Sequence, residues 1–336
     1  MLCRVADSLF WMARYIERAE NTVRLVDVTL QTLLESEHSN DEVHYAHWKP
    51  ILSSLGDLAL FETLYSEKSN TEIPEFLIFN RENPSSVISC ISAARENARM
   101  IRDQISSEMW EVINRTYLWL KKQDPEAVCQ EADYSFFQHI KEFSQLFQGL
   151  VDTTFPHQIG FEFVKIGANI ERADKTCRIL DAKHYMLQQT EVKDDALDNA
   201  QWTAILRGCS AHEAYRRVFV ADIEGDNVRE FLLRSRDFPR SVLYCLTRVQ
   251  LAMHAISKCP TSHFSNEAER RLGQLIAKLN YANPSDLNGK EVGKLIESIE
   301  EDLGEIAVEI SKRYMFSEIV DPAEEADQTQ TSTASA

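Results

Sequence analysis

One charged helix is written twice. The runs IERAENTVRLVDV, residues 16–28, and IERADKTCRILDA, residues 170–182, share seven of thirteen positions. Around the first copy, Leu9, Met12, Ile16, Ala19, Val23, Val26, Leu30 and Leu33 recur at alternating intervals of three and four. That spacing belongs to a helix with a broad apolar stripe and not to a strand, whose faces alternate every second residue. The polar positions repeat as faithfully as the apolar ones. Glu17, Arg24 and Asp27 return as Glu171, Arg178 and Asp181, and Glu20 becomes Asp174, which keeps the carboxylate.

Two long amphipathic helices need partners to cover their stripes, and the rest of the chain supplies them. Glycine and proline are scarce, at 10 and 9 in 336 residues, which favours helices over turn-rich sheet. A strong helix opens at NPSSVISC, with Asn83 or Ser85 as cap and Pro84 in the first turn. QDPEAVCQEADYS reads as a hinge, followed by a helix over 136–150. FPHQIG breaks the chain before the second long helix. Further helices are predicted at 201–209, 211–220, 227–233, 240–257, 266–280 and 290–315, and no strand-like alternation of useful length occurs. The predicted fold is all-α, a helical bundle with two pseudo-repeated halves. The halves are placed at 1–130 and 131–320, packed as one domain, and the acidic tail 321–336 is predicted to be disordered.

Several functional classes fall away. A net charge of −17 argues against nucleic acid, which needs clustered Lys and Arg. No apolar run reaches the roughly 18 residues of a spanning helix, so no membrane partner is expected. The opening MLCRVADSLFWMARYIER, interrupted by Arg4 and Asp7, is not a signal peptide. The seven cysteines form no CxxC pair and read as reduced thiols of a cytoplasmic protein. Phosphate-loop, dinucleotide and nucleophile-elbow motifs are missing, so no cofactor is expected.

On a helical wheel Glu20 and Asp27 lie at the margin of the apolar stripe, Glu17 and Arg24 just beyond it, and Arg18 on the opposite face. The second copy places Asp174 and Asp181 at the margin, with Glu171 and Arg178 beside them. If the two helices pack about a pseudo-two-fold, their acidic margins face each other. ENARMIRD offers a weaker third echo through Glu96, Asn97 and Asp103, and CSAHEAYRR a fourth through Glu213, Arg216 and Arg217. Arg234, Arg236 and Arg240 surround a helix entry at Pro239, a place suited to an anion. Glu17, Glu20, Glu171 and Asp174 are thus the candidate catalytic acids. Arg14, Arg24, Glu96, Asn97, Arg178, Asp181, Glu213, Arg216, Arg217 and Arg240 are the candidate binding residues. A competing reading makes Glu20–Arg24 and Asp174–Arg178 exposed pairs four apart, worth only about 0.2–0.5 kcal/mol each. Their retention in both copies argues for a constraint. Asp181 with His184, His44 with His47, and the run ESEH do not make a di-iron ligand set, and no metal is predicted.

Taken together, MLCRVADSLFWMARYIERAENTVRLVDV, RENPSSVISCISAARENARMIRDQISSEMWEVIN, IERADKTCRILDAKHYML, CSAHEAYRR and DFPRSVLYCL resemble the bacterial alpha-E family of helical proteins. The resemblance implies recurrent glutamates, here Glu17, Glu20, Glu96, Glu171 and Glu213, and a genomic setting beside circularly permuted ATP-grasp proteins and transglutaminase-like peptidases. It therefore implies a helical accessory or co-catalytic subunit of an ATP-grasp amide- or peptide-ligase system. The acid–arginine seam would bind a peptide or amino-acid ligand, or the ligase itself. Two alternatives stand beside it. One is a stand-alone enzyme using Glu17 or Glu171 as acid or base, its pKa raised by burial, with or without a metal. The other is a structural scaffold.

Overall fold

The computed structural model describes residues 3–35, 41–65, 72–130, 133–189, 195–220, 223–283, 287 and 291–315. The tail at 321–336 lies outside them. Among the described residues there are fifteen helices and no strand. The first eight are α1 (Cys3–Glu35), α2 (Asp41–Leu55), α3 (Leu58–Leu64), α4 (Glu72–Ile78), α5 (Val87–Met100), α6 (Ser107–Leu120), α7 (Pro125–Gln130) and α8 (Tyr134–Thr154). The remainder are α9 (Ile159–Gln189), α10 (Asp195–Gly208), α11 (His212–Val218), α12 (Gly225–Arg234), α13 (Val242–Ser257), α14 (Glu267–Asn280) and α15 (Glu291–Tyr314). None of the described helices is long and apolar enough to cross a membrane.

Local chemistry sets several helix starts. Ser86, Ser106, Ser241 and Asn266 each accept a hydrogen bond from the backbone N–H three residues on, and Asp133 from that of Ser135. Each satisfies a donor that the first turn would leave orphaned. The predicted caps Asn83 and Ser85 are displaced: Asn83 instead accepts from Ser85 N–H in the turn before the helix.

The two copies of the charged helix, α1 and α9, pack along each other as the axis of the molecule. They cross so closely that a Cβ at Gly167 would lie 2.3 Å from the carbonyl oxygen of Phe10, so only glycine fits there. α5 and α8 cover α1, while α13 and α15 cover α9; α2 leans across onto α9 and α10 onto α1. One core gathers α1 with Trp48, Phe61, Phe76, Phe136 and Phe147. The other gathers α9 with Trp202, Tyr215, Phe231, Leu272 and Ile306. α8 contributes Phe136, Phe137 and Phe147 to the first core, α9 adds Phe163, Val164 and Ala168 to it, and α1 lends Phe10 to the second.

Candidate functional site

Glu17 and Glu171, the leading acids of the two copies, are both fully buried. Neighbouring residues on a helix point about 100° apart, so Glu17 and Arg18 face different ways. They bond across the crossing instead. Arg172 donates to Glu17 through Nε (2.9 Å) and Nη2 (2.7 Å), and Arg18 donates to Glu171 through Nε (2.6 Å) and Nη2 (3.1 Å). Each glutamate–arginine dipeptide is thus clasped by the other in two bidentate pairs, the strongest geometry for a guanidinium and a carboxylate. Arg18, on the wheel opposite the apolar stripe, is met by Glu171 at the edge of an open face of α1 that it shares with Asp7, Trp11 and Arg14.

Further cations close the seam. Arg14 donates to Glu171 through Nε at 2.8 Å. Arg240 reaches in from the turn before α13 to Glu20 (2.6 Å), Asn21 (2.7 Å) and Glu17 (3.2 Å), and its carbonyl accepts from the Thr176 hydroxyl. Glu20 also accepts from Arg24 Nε (2.8 Å) and the Ser144 hydroxyl (2.6 Å), and Lys141 of α8 pairs with Asp27. Burial opposes the charge on Glu20, but Arg240 and Arg24 outweigh it and bring the carboxyl down to about 2. Burial likewise opposes the charge on Glu171, and Arg14 and Arg18 hold it well below the ordinary carboxylate range. This is the reverse of what acid–base work near neutrality needs.

On one flank the seam opens into a cavity of about 930 Å³ between α1, α9 and α15. Arg14, Arg18, Lys175 and Arg178 line it, interleaved with Asp7, Asp174 and Glu300, and Trp11 and Leu303 form apolar wall. Arg178 donates to Asp174 (2.8 Å) and to the Ser54 carbonyl (2.7 Å), which steadies both rims. Lys175 is buried; burial lowers its pKa, while Glu171 and Asp174 partly restore it. Glu300 is pushed up to about 7, first by burial, with Arg178 pulling it down and Asp174 and Asp181 adding to the rise. One of its oxygens, Oε1, is buried without a hydrogen-bond partner. A depression of similar volume near His157 and Lys258 contains no residue of the seam.

A family model described as "a predicted alpha-helical domain with a conserved ER motif" matches residues 1–315, and the clasp is built from two Glu–Arg dipeptides. The chain belongs to the Alpha-E family. Its curated relatives include the uncharacterized proteins Mb2597 of Mycobacterium bovis, 26% identical over 325 residues, and Rv2567 of Mycobacterium tuberculosis, 25% identical over 325 residues. Each alignment covers 90% of this chain but 36% of the relative, so the Alpha-E chain spans about a third of their length. No solved structure matches it.

The remaining candidates divide sharply in this Alpha-E chain. Glu96 sits on the surface with Arg95 and Arg99, Asp103 is exposed, and Asn97 donates to the Ala93 carbonyl, so the third echo does not join the seam. Glu213, Arg216 and Arg217 are exposed as well. α11 is only seven residues long and buries Tyr215, which turns those three outward. Arg234 and Arg236 bond to Asn280 at the end of α14. Asp181 is half-buried, and the side chains of His44 and His184 lie outside the described residues. In the seam, the carboxylates meet guanidiniums and ammonium groups where a metal would have to sit; the one cluster of potential ligands, among the described residues, lies elsewhere, at His254, Cys259 and Glu269.

Arg18, Arg172, Lys175, Asp7 and Glu300 are the residues that sequence reasoning missed. One signal for the surroundings was readable. RENPSSVISC (81–90) and RDFPRSVLYC (236–245) share Arg, Pro, Ser, Val and Cys at matching places, and both lead into a helix covering one of the long copies. In that alignment Ser85 stands where Arg240 stands. Arg240 plugs the seam beside Glu17 and Glu20, whereas Ser85 only lines the open cavity.

Proposed function

We propose that this chain is a helical accessory subunit of an ATP-grasp amide- or peptide-ligase system, and that its open cavity holds the charged end of an amino acid or peptide. The clasp of Glu17, Arg18, Glu171 and Arg172 is the frame and the cavity beside it is the receptor. The observation that carries the reading is the convergence of Arg14, Arg18, Lys175 and Arg178 with Asp7, Asp174 and Glu300 around a space of about 930 Å³. A pocket of that size with converging polar groups suits a small ligand. Guanidiniums pair with a carboxylate, and Asp174 and Glu300 with an ammonium group, so interleaved signs suit a zwitterion. Arginine has five N–H donors and spends only some of them on Glu171, which leaves others for a guest.

The ligase partner rests on the family resemblance. The length of the mycobacterial relatives is in keeping with it, because there the matched stretch is joined to a larger remainder of chain. The test has two arms: co-purification with any ATP-grasp protein encoded beside it, and calorimetric titration with free amino acids and dipeptides. Binding that falls at least tenfold in Arg178→Gln and Asp174→Asn, with the complex still formed, supports the reading. Absence of both association and ligand binding, with ligase activity indifferent to this chain, defeats it. A scaffold role is the second reading, favoured by the complete burial of Glu17 and Glu171 within paired guanidiniums. It predicts that cavity substitutions change nothing but stability.

A further inference from the structure

At the end of the second core, α13 stops with Lys258 in the left-handed conformation (φ 62°), and α14 begins after the Asn266 cap. The reversal between them brings His254, Cys259 and Glu269 together, with one ligating atom of each inside a mutual separation of 4.8 Å. His254 and Glu269 are buried and Cys259 is half-buried, so the group has an approach from solvent.

Two details of this corner suit a cation. His254 Nδ1 lies 2.9 Å from the carbonyl oxygen of Cys259. A carbonyl can only accept, so Nδ1 carries the proton and Nε2 presents a bare lone pair. The same second-layer bond orients histidines in metal centres. Glu269 is held in place from the other side: its Oε2 accepts from the Ser265 N–H (2.6 Å) and hydroxyl (2.9 Å). Its Oε1 is buried with no hydrogen-bond partner, a state that a nearby cation relieves.

We infer that His254, Cys259 and Glu269 bind one borderline divalent transition-metal ion of the zinc class at the α13–α14 reversal. Imidazole nitrogen, thiolate and carboxylate are the donor types that such an ion takes, and three protein ligands leave a fourth position for water. The charges also balance, because a thiolate and a carboxylate together neutralise a divalent ion. Bound there, the ion ties the C-terminus of α13 to the first turn of α14 and tightens the second core. The site is remote from the seam residues, so it stands or falls independently of the ligand proposed for the cavity.

The experiment uses the full chain, stripped with chelator and then titrated with Zn2+ against a competing indicator, and with Co2+ as an optical probe. The expected result is one equivalent per chain, a thiolate-to-cobalt charge-transfer band, and a rise in Tm on adding Zn2+. Cys259→Ser removes the charge-transfer band and weakens binding at least tenfold. It is the safer variant because its side chain is only half-buried; Glu269→Gln, which keeps the Ser265 contacts, serves as the second. No stoichiometric binding, a cobalt spectrum lacking the thiolate band, or unchanged affinity in Cys259→Ser overturns the assignment.

Discussion

Replacing Glu171 by glutamine tests the clasp directly. The carboxylate accepts three hydrogen bonds, one from Arg14 and two from Arg18, and is fully buried. Glutamine keeps the shape but loses the charge, and its NH2 group meets guanidinium donors. Breaking a buried ion pair on one side costs about 3–5 kcal/mol, because the remaining charge stays desolvated. The unfolding entropy of a 336-residue chain, at about 2.1 cal/mol/K per residue, is near 0.7 kcal/mol/K. A loss of about 4 kcal/mol therefore lowers Tm by about 6 °C. Removing both partners, in Glu171→Met with Arg18→Met, leaves no orphan between them, and the double variant should recover about 2 kcal/mol or more relative to the sum of the singles. The acid limb gives a second readout. Glu20 and Glu171 have folded pKa values below the ordinary 4.5. Their contribution is complete above pH 4.5 and is lost as pH falls through the folded values, about 2 for Glu20. Glu171→Gln should flatten that acid limb. Urea and thermal unfolding of wild type, Glu171→Gln, the two single Met variants and the double variant across pH 2–8 measure all of this. A single variant within about 1 kcal/mol of wild type, or strict additivity in the cycle, refutes the idea that the clasp holds the two long helices together.

Glu300→Gln should stabilise the protein above pH 7 and not below pH 4.5. A carboxyl raised from 4.5 to about 7 contributes fully below 4.5 and loses that contribution as pH rises through 7. The full shift of about 2.5 units corresponds to about 3.4 kcal/mol, and solvent screening of this partly exposed group reduces the expected gain at pH 8 to about 1–2 kcal/mol, read from unfolding curves. By the same titration, affinity for an amine-bearing ligand in the cavity should rise several-fold between pH 6 and 8, and the rise should vanish in Glu300→Gln; calorimetry at stepped pH reads both. Gly167→Ala pushes a methyl against the Phe10 carbonyl and should cost about 1–3 kcal/mol, measured by denaturant midpoint. Burial pushes the thiols of Cys90 and Cys245 up to about 12, so an alkylating reagent should leave them unmodified in the native protein and label Cys259, with labelling of Cys259 suppressed by added Zn2+.

The helices were legible because their information is local. Apolar spacing of three and four, sparse glycine and proline, and serine or asparagine before apolar runs act within a turn or two, and they marked α1, α5, α9, α13, α14 and α15 without any partner in view. The doubled Glu–Arg run was legible too, while the meeting of its acids stayed conditional on how the two helices pack. Which arginine serves which acid was not. Arg18 fell opposite the apolar stripe on a wheel, and a wheel does not show that α9 lays Glu171, 153 residues away, against that side. The echoes at Glu96 and Glu213 matched in residue type and failed in place, since a residue's burial is decided by what packs against its helix. Glu300 became noticeable only when α15 laid it beside Asp174 and Arg178, where the open cavity lies. Sequence alone decided which stretches form the long rods and which residues are charged. Only the tertiary structure decided which charges cancel and which stay open to a guest, because that depends on distances across helices that no local spacing encodes.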